Sequence, residues 1–214
     1  MIPVKPEPEP SDFDRLVRTP GNDFLATFTS SMPTSKQLEK KNYWKSIRHK
    51  LYESYKGVCA YSALHIPRYC YPNIDHFIPK SVKPELAYEW GNYRLSCPFV
   101  NMLKKNFQDV LDPFEIEKDW FFLDFPSLIV KANPQLSDEI KAQVHSTIKR
   151  LHLNDEDPFV KGRNAWLKPY CTGLYDFSYL KDVAPFIAYE LKRQGLTENI
   201  KVIMVYSSEY DEDD

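Results

Sequence analysis

Apolar residues recur at helical spacing over several stretches and cluster with aromatics in others, a pattern that predicts an α+β protein. Leu38, Trp44, Ile47, Leu51, Tyr52 and Tyr55 line one face of a helix that Ser35 can cap, running to about Lys56, where Gly57 stops it. Ahead of it, Phe13, Leu16, Val17, Phe24, Leu25 and Phe28 surround Pro20-Gly21, which predicts two short helices with a turn between them. The Val110–Phe114 and Trp120–Phe125 segments read as a strand pair, with Leu128–Val130 as a further short strand. Ser137 starts a helix to about Leu151 whose apolar face is Ile140, Val144, Ile148 and Leu151. Asn154 or Asp155 caps a second helix through Lys168, and Asp176 or Ser178 a third through Gln194 that carries Pro185. Residues 200–205 add a candidate strand, and no internal repeat is present.

Composition narrows the class. A chain of 214 residues with 14 Tyr and 13 Phe can bury a core of its own and is not a disordered polymer. Residues 1–12 alternate Pro with Glu and Lys, which predicts an extended, disordered arm. No run approaches the roughly 18 apolar residues of a membrane helix, and the first residues lack a signal-peptide core, so a cytoplasmic protein is expected. Four scattered cysteines do not make a secreted disulfide framework.

Charge changes the picture locally rather than globally. The net charge of −2 argues against non-specific coating of nucleic acid, but the acidic run Glu209 to Asp214 inflates the negative count. Lys36 to Lys56 is basic, holding Lys36, Lys40, Lys41, Lys45, Arg48, Lys50 and Lys56 against Glu39 and Glu53. That stretch is either a solvated helix face or a surface for phosphates.

The candidate chemistry lies between Val58 and Asn106. Asp75-His76 opens D-H-F-I-P-K-S, followed by W-G-N-Y-R-L-S-C from Trp90 and N-M-L-K from Asn101. This ordered set resembles the ββα-metal core of an HNH nuclease in which the third letter is Asn. It is most similar to the small HNH nucleases of Septu-type and retron-associated antiphage systems, which work beside a separate ATPase. The resemblance implies a ββα core embedded in a mainly helical shell, with a first strand over 72–78, a returning strand over 92–96 and a helix starting near Pro98.

Residue by residue, the resemblance implies that Asp75 and Asn101 hold one Mg²⁺ or Mn²⁺ through hard oxygen atoms. It makes His76 the general base, and Asn92 the residue that ties down the intervening loop and so orients His76. Lys104, with Lys80, Lys105 or Arg94, would clamp substrate phosphate. His49, His65, His145 and His152 have no partner motif and read as structural or surface residues.

One departure from the family pattern is plain. Relatives carry two C-x-x-C pairs that bind structural zinc; here they read Cys59-Ala60-Tyr61-Ser62 and Cys97-Pro98-Phe99-Val100. No structural zinc is expected, with Tyr61 and Phe99 supplying packing in its place.

The expected organisation is an arm over 1–12, a helical segment over 13–57, the nuclease core over 58–108, a mixed then helical part over 109–206, and an acidic tail over 207–214. The expected function is phosphodiester hydrolysis on DNA or RNA as the effector of an antiphage system. No G-x-x-x-x-G-K-[ST] loop is present, so the ATPase partner would supply any nucleotide control. Two alternatives stand beside it: a vestigial nucleic-acid-binding or scaffold subunit, and a stand-alone restriction-type nuclease.

Overall fold

The computed structural model describes residues 1–204 and is α+β, with two small antiparallel sheets among short helices. The arm departs from expectation. Although residues 1–12 form no regular element, Met1 is buried and the segment is tied down along its length. Val4 N–H donates to the Pro113 carbonyl at 2.8 Å, and Glu7 receives the Trp90 indole N–H at 2.8 Å on its carbonyl. Prolines that look like a signature of disorder also restrict the unfolded chain, so an extended strap loses less entropy on docking.

Pro20 does not end the first helix either. Asp14–Arg18 forms a wide turn in which Thr19 N–H reaches the Asp14 carbonyl, and α1 (Thr19–Ala26) continues directly from it. Widening the turn accommodates a proline that lacks its own donor. Gly21 is buried against the face of the Tyr88 ring, where an added Cβ would overlap the ring carbons. Tyr88 in turn packs on Trp44, and Trp44 on His76. We expect Gly21→Ala to cost about 2 kcal/mol through forced displacement of Tyr88, lowering Tm by roughly 4–8 °C for a chain of this size. An unchanged melting curve would show that the ring moves aside freely.

The long helix expected from Ser35 is three pieces. Thr34, not Ser35, caps α2 (Ser35–Lys40) in a reciprocal capping box with Gln37. Lys41 and Asn42 leave helical geometry, a 3₁₀ turn spans Tyr43–Ile47, and α3 (Arg48–Ser54) completes the run. The break turns Trp44 inward.

At the centre lie β1 (Asn73–His76), β2 (Tyr93–Ser96) and α4 (Pro98–Lys104). The strands pair antiparallel with Asp75 opposite Arg94 and His76 opposite Tyr93. Pro98 opens α4 because its missing N–H and fixed φ suit a first helical turn.

Of the strands expected further on, Val110–Phe114 is irregular, and the pair forms instead between β3 (Phe121–Asp124) and β4 (Ile129–Ala132). Pro113 lacks a ladder donor, and the Asp112 carboxylate accepts the Phe114 N–H, holding that segment in a turn. Ser137 caps α5 (Asp138–Arg150), and α6 spans Lys161–Cys171 behind an irregular turn at Glu156–Val160. Asp176 caps α7 (Phe177–Val183), which Pro185 separates from α8 (Pro185–Arg193) because Ala184 before it is pushed out of helical geometry. The strand expected at the end is instead a short helix, α9 (Ile200–Ile203), while Val205 and the acidic tail lie outside the described residues. Among the described residues, no helix is long and apolar enough to cross a membrane.

Candidate active site

One cleft of about 400 Å³ opens between β1, the middle and end of α4 and the broken helical run before them. Asp75, His76, Lys80, Asn101 and Lys105 all line it. Lys45 and Arg48 also reach it, because the break after α2 swings the basic stretch over the hairpin.

His76 sits at the inner wall, 6 % exposed, with Trp44 and Tyr93 edge-on to its ring at 4.8 and 5.0 Å. Its Nε2 lies 2.9 Å from the Ala87 carbonyl oxygen. A carbonyl can only accept, so Nε2 carries the proton and Nδ1 keeps the lone pair. Burial, with Lys80 and Lys104 adding to it, pushes the imidazole down to about 3. Desolvation of the cationic form, with two lysines repelling it, explains the direction.

That shift is also a stability statement. An unfolded His protonates near 6.5, while the folded site takes the proton only near 3. Between those values the unfolded chain binds the extra proton, so stability falls as pH drops from about 6.5 towards 3. We expect His76→Asn to remove about 2 kcal/mol of the stability lost between pH 6.5 and 4.5. Equal pH slopes in urea titrations of the two proteins would refute it.

Asn92 does not touch the cleft. Its Oδ1 accepts the Ile78 N–H at 2.8 Å, and its Nδ2 donates to the Ile78 and Leu86 carbonyls at 3.0 and 3.2 Å. One buried amide thus closes the loop that carries Ala87, the acceptor for His76. Asn92 is a positioning residue.

Two of the expected phosphate ligands are used elsewhere. Lys104 is fully buried, and its Nζ lies 3.1 Å from Asp75 Oδ2 and within 3.1 and 2.8 Å of the His76 and Phe77 carbonyls. It clamps α4 onto the end of β1, out of reach of a substrate. Arg94 grips both Asp112 oxygens, at 2.7 and 2.5 Å, with its guanidinium 3.5 Å from the Phe114 ring centre. That bidentate fork is a structural ion pair. Of the four cations expected at the phosphate, Lys80 and Lys105 remain at the cleft, and Lys80 is shared with Glu39 at 2.8 Å. Lys45, Arg48 and Lys105 pair with no carboxylate among the described residues.

Tyr61 is a site residue that sequence reasoning assigned only to packing. Its hydroxyl donates to Asp75 Oδ2 at 2.5 Å, and burial beside that carboxylate holds the phenol well above its usual range. It therefore remains a donor. Tyr61 and Lys104 together fix Asp75, leaving Oδ1 with a single long contact of 3.3 Å to Lys104.

Asp75 and Asn101, the pair expected to hold a metal, both line the cleft, where Glu39, Asn73 and Asn106 add further side-chain oxygens. Among the described residues no three His, Cys, Asp or Glu side chains cluster as a metal-ligand group. One carboxylate and one amide nevertheless suit a hard cation that keeps most of its water, which is how Mg²⁺ is commonly held. Behind the hairpin, the Cys59 and Cys97 thiols hydrogen-bond each other with Ser62 beside them. Burial opposes ionisation of Cys59, but those hydrogen bonds outweigh it and lower the thiol, while its bond to Cys59 and burial hold Cys97 up.

No family model and no curated protein matches this chain.

Proposed function

We propose that this chain is a metal-dependent endonuclease of the HNH type that hydrolyses a phosphodiester bond in the cleft beside His76. The observation that carries the reading is the joint lining of that cleft. A neutral imidazole with its Nδ1 free, hard oxygen donors that include Asp75 and Asn101, and three cations without carboxylate partners meet within one space of about 400 Å³. Phosphodiester hydrolysis needs a base for water, charge neutralisation and fixed geometry.

In this reading the cleft cations Lys105, Lys45 and Arg48 draw in the phosphate and hold it against the end of β1. His76 takes a proton from the attacking water on Nδ1; a bound phosphate offsets the lysine charges that depress the imidazole, and the Ala87 carbonyl keeps Nε2–H in place and stabilises the imidazolium that forms. Asp75 is pre-set by Tyr61 and Lys104, and Asn101 on α4 lines the same cleft. A divalent ion held by these two residues would neutralise charge developing on the phosphorane-like transition state and the leaving oxygen. Asn92 keeps the loop, and through it the ring, from swinging.

The resemblance to Septu-type and retron-associated nucleases adds an antiphage role and a separate ATPase partner to this proposal. Purified protein with Mg²⁺ or Mn²⁺ is expected to cut plasmid DNA or total cellular RNA, alone or with a co-expressed ATPase, and to stop on chelation. If neither substrate is cut in either setting, the scaffold reading replaces this one.

A further inference from the structure

A second groove, of about 180 Å³, adjoins the cleft and shares Arg48 with it. Its walls include His49, Tyr52, Arg68 and Tyr71. The short 3₁₀ turn Arg68–Cys70 leads into it and presents two aromatic rings to solvent, Tyr69 at 82 % and Tyr71 at 71 % exposure. Tyr71 adopts φ 49°, ψ 72°, a left-handed conformation uncommon for a bulky side chain, and its ring is not packed into the core. Arg68 lies over the Tyr52 ring at 4.9 Å and is ion-paired with Glu53.

The position of these rings sets their reach. Tyr71 precedes Asp75 by four residues, so the two Cα atoms are no more than about 14 Å apart. The cleft also shares Lys105 with a third groove that holds Lys149 and His152. A strand passing Asp75 would therefore have cations in the cleft and in both adjoining grooves, with exposed rings at one of them.

We propose that the Arg68–Pro72 segment is a stacking platform for unpaired nucleobases, which makes single-stranded nucleic acid the substrate class of the cleft. The inference rests on the nuclease reading for what happens at Asp75, but the platform itself is a binding surface. Every base offers a π-face to an aromatic ring, so stacking tolerates sequence, whereas paired bases within a duplex keep their faces against one another. Arg48 supplies phosphate attraction at the junction, while Glu53 is engaged by Arg68 and lies 3.8 Å from His49.

The test separates binding from cutting. Fluorescence anisotropy with a labelled single-stranded DNA, the matching RNA and the DNA duplex is measured in chelator, where no metal-dependent cleavage can occur. Wild type is expected to prefer either single strand over duplex. Replacing both rings, Tyr69→Leu with Tyr71→Leu, is expected to weaken single-strand binding about tenfold or more and to leave duplex binding unchanged. Tyr69→Phe with Tyr71→Phe is expected to retain it, since the rings and not the hydroxyls stack. Both residues are exposed, so an unchanged thermal melt accompanies either pair.

Equal binding by wild type and the Leu variant, or preference for duplex, overturns the platform, even in a protein that cuts in Mg²⁺. Absence of any nucleic-acid binding overturns it too and leaves the rings facing a protein. Tyr-dependent binding in a protein that never cuts would uphold the platform and defeat the nuclease reading alone.

Discussion

His76→Ala is expected to bind nucleic acid as wild type does and to cut it about 10²–10⁴-fold more slowly, the range associated with a lost general base. The residue lines the cleft, and its Nε2 is committed to Ala87, so Nδ1 is the ring atom left for proton transfer. The substitution leaves little collateral damage in hydrogen bonding. Tyr93 also donates to the Ala87 carbonyl, at 2.7 Å, so that oxygen keeps a partner when the imidazole goes. Measured single-turnover rates in Mn²⁺, beside affinity measured in chelator, separate a lost base from a lost site. A variant that cuts at the wild-type rate would remove His76 from the mechanism, whatever else the cleft does.

The largest stability effect is expected at Lys104. Lys104→Met should lower unfolding free energy by about 3–5 kcal/mol, because breaking a buried pair strands the remaining charge. Asp75 would retain only the Tyr61 hydroxyl, and two carbonyls at the end of β1 would lose their shared donor. Lys105→Met, one residue on, provides the contrast. Its side chain is exposed at the cleft, so stability should change by less than about 0.5 kcal/mol, while affinity for single-stranded nucleic acid falls and depends less steeply on salt. Urea titration of the two variants gives the comparison. Similar midpoints for both would mean that Lys104 is not the clamp between α4 and β1.

The same pair of lysines shows where sequence reading stops. Adjacent in the chain and alike in chemistry, they were both expected at phosphate, and only Lys105 reaches the cleft. Lys104 finds Asp75 across 29 residues, and Arg94 finds Asp112 across 18. No local pattern marks either partner. The cleft's remaining cations, Lys45 and Arg48, had a visible signal in the basic stretch after Lys36, but their side of the hairpin depended on the helix breaking at Lys41.

What the chain determined by itself is its local structure near the candidate site. The helix capped by Ser137 follows from side-chain period and cap chemistry acting within a few residues, while the strands at Asn73–His76 and Tyr93–Ser96 and the helix opened by Pro98 lie where the motif resemblance implied them. Tertiary structure decided the rest: the docked strap, with Trp90 bonded to Glu7 across 83 residues, the wide turn before Pro20, and the partners of Lys104, Arg94 and Tyr61. Burial of a charge or a hydroxyl is favourable only when a partner arrives with it, and that partner is supplied by the fold, not by sequence neighbours.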